Sequence, residues 1–74
     1  MNKFFDYLST ELPLGRIREL LAYIRRFAAA LGGEIPVEGH MGKVGFCASS
    51  LPGEQVQVHW VQVGRERITV EATV

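Results

Sequence analysis

The chain has few of the residues that mark a specialised site. It contains one cysteine, Cys47, and two histidines, His40 and His59, among its 74 residues. A single cysteine excludes an intramolecular disulfide, and three potential ligands without a recognisable spacing do not make a zinc motif. The segment 39–43 resembles a phosphate loop only superficially, because it lacks the required spacing and no helix follows it. We therefore expect no cofactor, no metal and no catalytic residues.

Long apolar runs and an excess of one charge are also absent. No stretch approaches the roughly 20 apolar residues that span a bilayer, and Asp6 and Ser9 interrupt the apolar start, unlike a secretory signal. An unpaired cysteine suits a reducing compartment, so we expect a cytoplasmic protein that does not enter a membrane. Formal net charge is zero, whereas a domain dedicated to duplex binding usually has a basic excess. The balance counts against nucleic acid as the main partner.

The composition is that of a small folded domain. Of its residues, 47% are hydrophobic and 22% are charged, which is typical of globular proteins. A chain this short buries roughly 60% of the surface that its unfolded form exposes, so its stability margin is narrow. We expect one domain, residues 1–74, and homodimer formation is one open route to additional stability.

The first third of the sequence predicts two helices. Asn2 can cap a helix over residues 3–11, and Pro13 ends that helix and suits the first position of the next. The second helix, over residues 13–31, is predicted by apolar residues at alternating steps of three and four, with Leu20 and Phe27 beside them. The members of this stripe are Leu14, Ile17, Leu21, Ile24, Ala28 and Leu31.

The end of the second helix and the change of period are marked by two glycines. Gly32 and Gly33 predict a left-handed cap. Beyond them the apolar residues alternate, which predicts strands that begin near Val44, Val56 and Ile68 and form an antiparallel meander.

A fourth strand and the overall class depend on the segment that precedes the meander. Residues 35–37 would add a fourth strand, which Pro36 would restrict to a sheet edge. Residues 39–42 are predicted to be a loop. The predicted class is α+β: two N-terminal helices followed by a meander of three or four antiparallel strands, with the second helix packed on one sheet face.

The last hairpin allows a prediction of register. A two-residue turn at 64–65 would place the apolar residues of its two strands on opposite faces. Because the buried face fixes the register, we predict Val58 opposite Ala72 and Trp60 opposite Val70. This register requires either a three-residue loop or a bulge beside a tighter turn.

The same register assigns side chains to the two faces of the sheet. Trp60 is predicted to lie in the core, whereas Val61 and Val63 project from the outer face. His59 is predicted to face Glu71 there. A histidine beside a carboxylate could serve as a base or a pH switch, but an ordinary cross-strand polar pair is the favoured interpretation. A face of valine, threonine and glutamine with little charge suits contact with another protein.

Arginines of the second helix form the only cationic cluster. Arg18 and Arg25 lie seven residues apart and therefore share one flank, whereas Arg16 and Arg26 point elsewhere. They could contact phosphates or an acidic protein surface. Because the four are spread around the helix, a solvated face is the favoured interpretation.

The sequence predicts a non-enzymatic protein-binding module, in the style of a small bacterial or phage inhibitor or adaptor that covers a partner's surface. An interface of about 800 Å² per partner is within reach of such a domain. Its predicted contact residues are Arg18, Arg25, His59, Val61, Val63 and Arg67. The alternative function is nucleic-acid binding through the arginine helix, and catalysis by His59 or Cys47 ranks third.

Overall fold

The structure is a computed structural model that describes residues 3–31 and 33–74, with residues 3 and 4 described by their backbone alone. Two helices precede four strands. Their bounds are α1 Lys3–Glu11, α2 Leu14–Leu31, β1 Val37–Met41, β2 Val44–Ser50, β3 Val56–Val63 and β4 Glu66–Thr73. The strands form one antiparallel sheet in the order β1-β2-β3-β4. The predicted α+β meander is confirmed, and the optional fourth strand is present.

The boundary between the two helices lies at Pro13, as predicted. α1 ends at Glu11 and α2 begins at Leu14, and the Pro13 carbonyl accepts a hydrogen bond of 3.1 Å from the Ile17 N–H. Gly33 has a φ of +55°, the left-handed conformation that ends many helices. The predicted cap residues 2 and 32 lie outside the described residues.

The middle of α2 provides the helical side of the core. Its buried residues are Ile17, Leu20, Ile24 and Ala28. The predicted stripe was wrong at both ends, because Leu14 is 65% exposed and Leu31 is 66% exposed. The buried side of the helix runs from Ile17 to Ala28, so Leu14 and Leu31 at its two ends remain in solvent.

A cluster of three aromatic rings joins α2 to the sheet. The Phe27 and Phe46 ring centroids lie 5.2 Å apart in an edge-to-face arrangement, and Tyr23 lies 5.9 Å from each of them. Gly39 lies directly beneath this cluster, since a Cβ at this position would come within 2.6 Å of the Phe27 ring. The close approach explains why β1 has a glycine at this position.

The prediction of a loop at residues 39–42 was wrong for residues 39–41 and correct for Gly42, which lies in the turn after β1. Residues 39–41 belong to β1, where Gly39 pairs with Phe46 and Met41 with Val44. The glycine that indicated a loop instead makes room for the aromatic rings. Ile35, predicted to begin the strand, precedes it and is 73% exposed.

A bulge at His59 sets the faces of β3. On the β2 side, Cys47 pairs with Trp60 and Ala48 with Val58, so His59 has no counterpart. On the β4 side, residues 70–71 lie opposite His59 alone. The bulge shifts the alternation of β3 by one residue. The strand therefore turns its even-numbered residues toward the core before the bulge and its odd-numbered residues after it.

The predicted register is correct on one side of the bulge and wrong on the other. Val58 pairs with Ala72 as predicted, but Trp60 pairs with Thr69 instead of Val70. The tight turn at 64–65 with a nearby bulge, one of the two predicted alternatives, is what the chain forms. Glu71, within the bulge, adopts a φ of +48°.

α1 packs on its own domain. Leu8 is fully buried within the core cluster. Burial raises the pKa of the Tyr7 hydroxyl, and the nearby carboxylates of Glu66 and Glu11 raise it further. α1 therefore covers the core near the turn between β3 and β4.

Candidate functional site

Both helices lie on one side of the sheet, and no helix of the described residues covers the other side. α2 packs against the side that carries Phe46, and Leu8 of α1 belongs to the same core. The opposite side is called the outer face below. By the strand pairing, it carries Glu38, His40, Gly45, Cys47, Ser49, Gln57, Trp60, Gln62, Arg67, Thr69 and Thr73, together with His59 and Glu71 at the bulge.

A chain of hydrogen bonds crosses the outer face at the bulge. His59 Nδ1 lies 3.3 Å from Glu71 Oε1, and His59 Nε2 lies 2.9 Å from Ser49 Oγ. The predicted pairing of His59 with Glu71 is confirmed. Because an ionised carboxylate can only accept, the proton of a neutral His59 ring belongs on Nδ1, and Ser49 then donates to Nε2.

Two further side chains fix the carboxylate of this network. The Gln57 amide donates to Glu71 Oε2 over 3.3 Å, and the Thr73 hydroxyl donates to Gln57 Oε1 over 2.9 Å. A residue other than glycine in the left-handed region costs roughly 1–2 kcal/mol. The hydrogen bonds to Glu71 help to offset this cost at the bulge.

The order serine, histidine, carboxylate is that of a hydrolytic triad, but Ser49 is not placed as a nucleophile. It pairs with Gln57 within the sheet and is only 5% exposed. An acyl substrate would need to reach the Ser49 hydroxyl while donors stabilise the developing oxyanion. The 5% exposure of Ser49 leaves little room for such an approach, and its hydrogen bond holds His59 at the bulge.

Cys47 is similarly unsuited to nucleophilic chemistry. It is 8% exposed and lies beside Trp60 on the outer face. Burial raises the pKa of its thiol, and the negative charge of Glu38 raises it further. Arg67 opposes this rise with a smaller effect than that of Glu38, and Glu71 adds the smallest increase. Reactive cysteines have lowered pKa values and accessible sulfur atoms, so Cys47 has the properties of a packing residue.

A trough lies on the outer face, on the far side of the bulge from Ser49. Its floor is Gly45, where a Cβ would lie 3.6 Å from the His40 ring and 3.7 Å from the Trp60 ring. The trough has a volume of about 230 Å³. Its lining consists of Glu38, Gly39, His40, Lys43, Gly45, Trp60, Gln62, Gly64 and Arg67. Pockets for small-molecule ligands are usually roughly 300–1,000 Å³, so this trough is of a size for one or two side chains.

Arg67 is held at the rim of the trough by two contacts. Its guanidinium carbon lies 3.7 Å from the centroid of the Trp60 ring. Its Nε donates to Gln62 Oε1 over 3.0 Å, and the Gln62 amide in turn donates to the Gly64 carbonyl over 3.0 Å. Arg67 is thus fixed in orientation while remaining exposed.

Two predicted contact residues do not lie on the outer face. Val61 is fully buried in the core, and Val63 is partly buried against it. The prediction that they project outward was wrong, as was the prediction that Trp60 lies inside. The bulge at His59 exchanges their positions, because it shifts the phase of the strand between Val58 and Trp60.

The remaining predicted contact residues fall into two groups on opposite sides of the domain. Arg67 and His59 lie on the outer face, whereas Arg18 and Arg25 are exposed on α2, which covers the core face. One flat interface cannot include both groups. Other outer-face residues were not among the predicted contacts; they are His40, Gly45, Trp60 and Gln62.

Three of the four arginines of α2 lie near a carboxylate. Arg16 forms an exposed ion pair of 3.2 Å with Glu19. Arg25 and Arg26 line a groove of about 420 Å³ together with Glu54 and residues 55–56. These carboxylates reduce the positive potential that a phosphate backbone would meet.

The described part of the chain offers neither a metal site nor a membrane-spanning helix. It contains no group of three or more histidine, cysteine or acidic residues placed to hold a metal ion. None of its described helices combines the length and the apolar character that crossing a membrane requires. No protein family, curated protein or solved structure matches the chain.

Proposed function

We propose that the protein is a non-enzymatic binding module that recognises another protein through its outer sheet face. The observation that carries the proposal is the position of Trp60. A partly exposed tryptophan lies on a helix-free face, with Arg67 stacked on its ring. Tryptophan and arginine are among the residues that contribute most to binding energy in protein interfaces.

The shape and rigidity of this face support the proposal. The trough suits a protruding side chain of a partner, because its floor is a glycine between two rings. The hydrogen bond that Arg67 donates to Gln62 and the one between Ser49 and His59 hold the Arg67 and His59 side chains in place before binding. Ordering side chains on association costs roughly 0.5–1.5 kcal/mol each, so side chains that are already fixed improve affinity.

An adaptor or inhibitor that covers a partner's surface, in a bacterial or phage setting, is the form of this function that we propose. The buried state of Ser49 and Cys47 argues against catalysis on the same face. A second copy of this chain, bound at the outer face in a homodimer, is the competing partner for the same surface. The nucleic-acid alternative would use Arg18 and Arg25 on the other side of the domain.

The proposal is tested by affinity capture from a nuclease-treated bacterial lysate with matched variants. Gly45→Val fills the trough floor, and Arg67→Ala removes the stacked cation. Arg25→Ala is the control, because it removes an arginine from the opposite side of the domain. Proteins bound by the wild type are identified by mass spectrometry and quantified for each variant.

The expected result is a stoichiometric protein that the wild type and Arg25→Ala retain and both outer-face variants lose. If Arg25→Ala loses the partner and the outer-face variants retain it, the proposed surface is incorrect. Recovery of nucleic acid alone from an untreated lysate, with loss at Arg25→Ala, would instead support the arginine helix. Sedimentation of the purified protein separates a homodimer from a heteromeric partner.

A further inference from the structure

Arg67 presents its terminal nitrogens to the solvent in a fixed orientation. Its Nε is already used by Gln62, and its planar group lies against Trp60. Among the described residues, neither terminal nitrogen has a hydrogen-bond or ion-pair partner. Two parallel N–H groups on the exposed edge of a guanidinium match the two oxygens of a carboxylate.

The charge of the trough also favours an anion. Lys43 and Arg67 are the basic residues of its lining, and Glu38 is the acidic one, with His40 as the remaining titratable group. Glu38 makes no ion pair with Arg67 within 4.0 Å in the described structure. The lining therefore has a net positive charge of one when His40 is neutral, in a protein whose formal net charge is zero.

We infer that the trough receives an aspartate or glutamate side chain of the partner protein, with its carboxylate bound by the terminal nitrogens of Arg67. This inference rests on the proposed function and specifies the chemistry of the partner's contact residue. The stem of the acidic side chain lies over Gly45, between the His40 and Trp60 rings. Lys43 adds a second positive charge at the rim without a fixed hydrogen-bond geometry.

The stacking on Trp60 strengthens the case for a planar anion. Cation–π contact and the Gln62 hydrogen bond restrict the guanidinium to one plane, so a carboxylate can bind without further ordering of the arginine. A lysine at the same position would retain the charge but would lose the paired donors. The substitution Arg67→Lys therefore separates general attraction of anions from bidentate recognition.

The test uses NMR on the intact ¹⁵N-labelled protein with defined probes. The first probe is a tripeptide with glutamate between two glycines and both ends blocked, so that the side-chain carboxylate is its only charge. Its matched control has glutamine in place of glutamate. Inorganic phosphate is the third probe. Arg67 side-chain N–H resonances and the Trp60 indole resonance report binding, and Arg25→Lys is the control variant.

We expect the glutamate peptide to shift the Arg67 and Trp60 signals, and the glutamine peptide to bind at least about tenfold more weakly, which corresponds to roughly 1.4 kcal/mol. Arg67→Lys should reduce glutamate binding by a similar factor, whereas Arg25→Lys should leave it unchanged. Equal binding of the two peptides would overturn the inference. Retention of full affinity by Arg67→Lys, or a preference for phosphate over the glutamate peptide, would also overturn it.

Failure of this test is distinguishable from failure of the proposed function. If the glutamate peptide does not bind selectively while Gly45→Val and Arg67→Ala still lose the captured protein, the outer face binds a partner through other chemistry. If those variants retain the captured protein, the proposed function itself fails, whatever the peptides do.

Discussion

The substitution Val61→Thr tests the bulge that determines which side chains face outward. Val61 is fully buried, between Phe46 on β2 and Ile68 on β4 in the strand pairing. Threonine has nearly the same shape and also favours strands, so the change chiefly introduces a buried hydroxyl. Burying a hydroxyl without a partner costs about 1–3 kcal/mol by protein mutational data.

The expected loss is large relative to the stability of so small a domain. A loss of 1 kcal/mol lowers Tm by roughly 4–8 °C in a domain of 60–100 residues. In urea, with a slope of about 1–3 kcal/mol per molar, the midpoint should fall by on the order of 1 M. Far-UV circular dichroism and Trp60 fluorescence should give the same transition if unfolding is two-state.

The control is the reverse exchange on the outer face of the neighbouring strand. Thr69 pairs with Trp60 and is exposed, so Thr69→Val should change stability by no more than about 0.5 kcal/mol. A Val61→Thr variant as stable as the wild type would refute the assignment of Val61 to the core. It would support the register without a bulge, in which Trp60 is buried.

Three further predictions follow from buried positions. Gly39→Ala should destabilise the fold by roughly 1–3 kcal/mol, because its Cβ would overlap the Phe27 ring; unchanged urea unfolding would contradict this packing. Burial raises the pKa of the Cys47 thiol. Cys47 should therefore react with an aromatic disulfide reagent much more slowly in the folded protein than in urea. Equal reaction rates at pH 8 would argue against its burial. Ser49→Ala should cost about 1 kcal/mol through loss of the hydrogen bond to His59, measured by thermal unfolding, and a gain in stability would show that the hydroxyl is poorly satisfied.

Periodicity was sufficient to predict the class and most elements of the fold. The helix boundaries at Pro13 and Gly33 depend on local properties of proline and glycine, which do not require knowledge of the rest of the chain. The change in apolar spacing, from that of a helix to that of a strand, is also visible in the local sequence. The extent of burial along α2 could not be predicted locally, because the position of the sheet decides that Leu14 and Leu31 remain exposed.

The outer face was mispredicted because the prediction required unbroken alternation of buried and exposed residues along β3. The segment reads Val-Gln-Val, then His-Trp, then Val-Gln-Val. Each valine pair alternates correctly by itself, and the two central residues shift the phase between them. A bulge at His59 therefore places all four valines toward the core and leaves Trp60 outside. The sequence pattern is compatible with this bulge, but a strand without a bulge cannot bury both pairs of valines on one face.

The candidate site depends on contacts across several strands. The pairing of His59 with Glu71 was predictable from hairpin register. Ser49 joins them from β2, whose pairing with β3 is shifted by the same bulge at His59. The stacking of Arg67 on Trp60 follows from the outward position of Trp60 and could not be predicted while this residue was assigned to the core.

Trp60 provides the most direct test of the central claim, because it is the only tryptophan in the chain. The protein is labelled with 5-fluorotryptophan, and its single ¹⁹F resonance is recorded with and without the nuclease-treated lysate fraction that contains the captured protein. If the outer face is the binding surface, the resonance shifts or broadens with this fraction, and it does so equally in Arg25→Ala but not in Gly45→Val. An unchanged resonance in a sample where the captured protein is demonstrably bound would contradict the claim that the outer face is the binding surface.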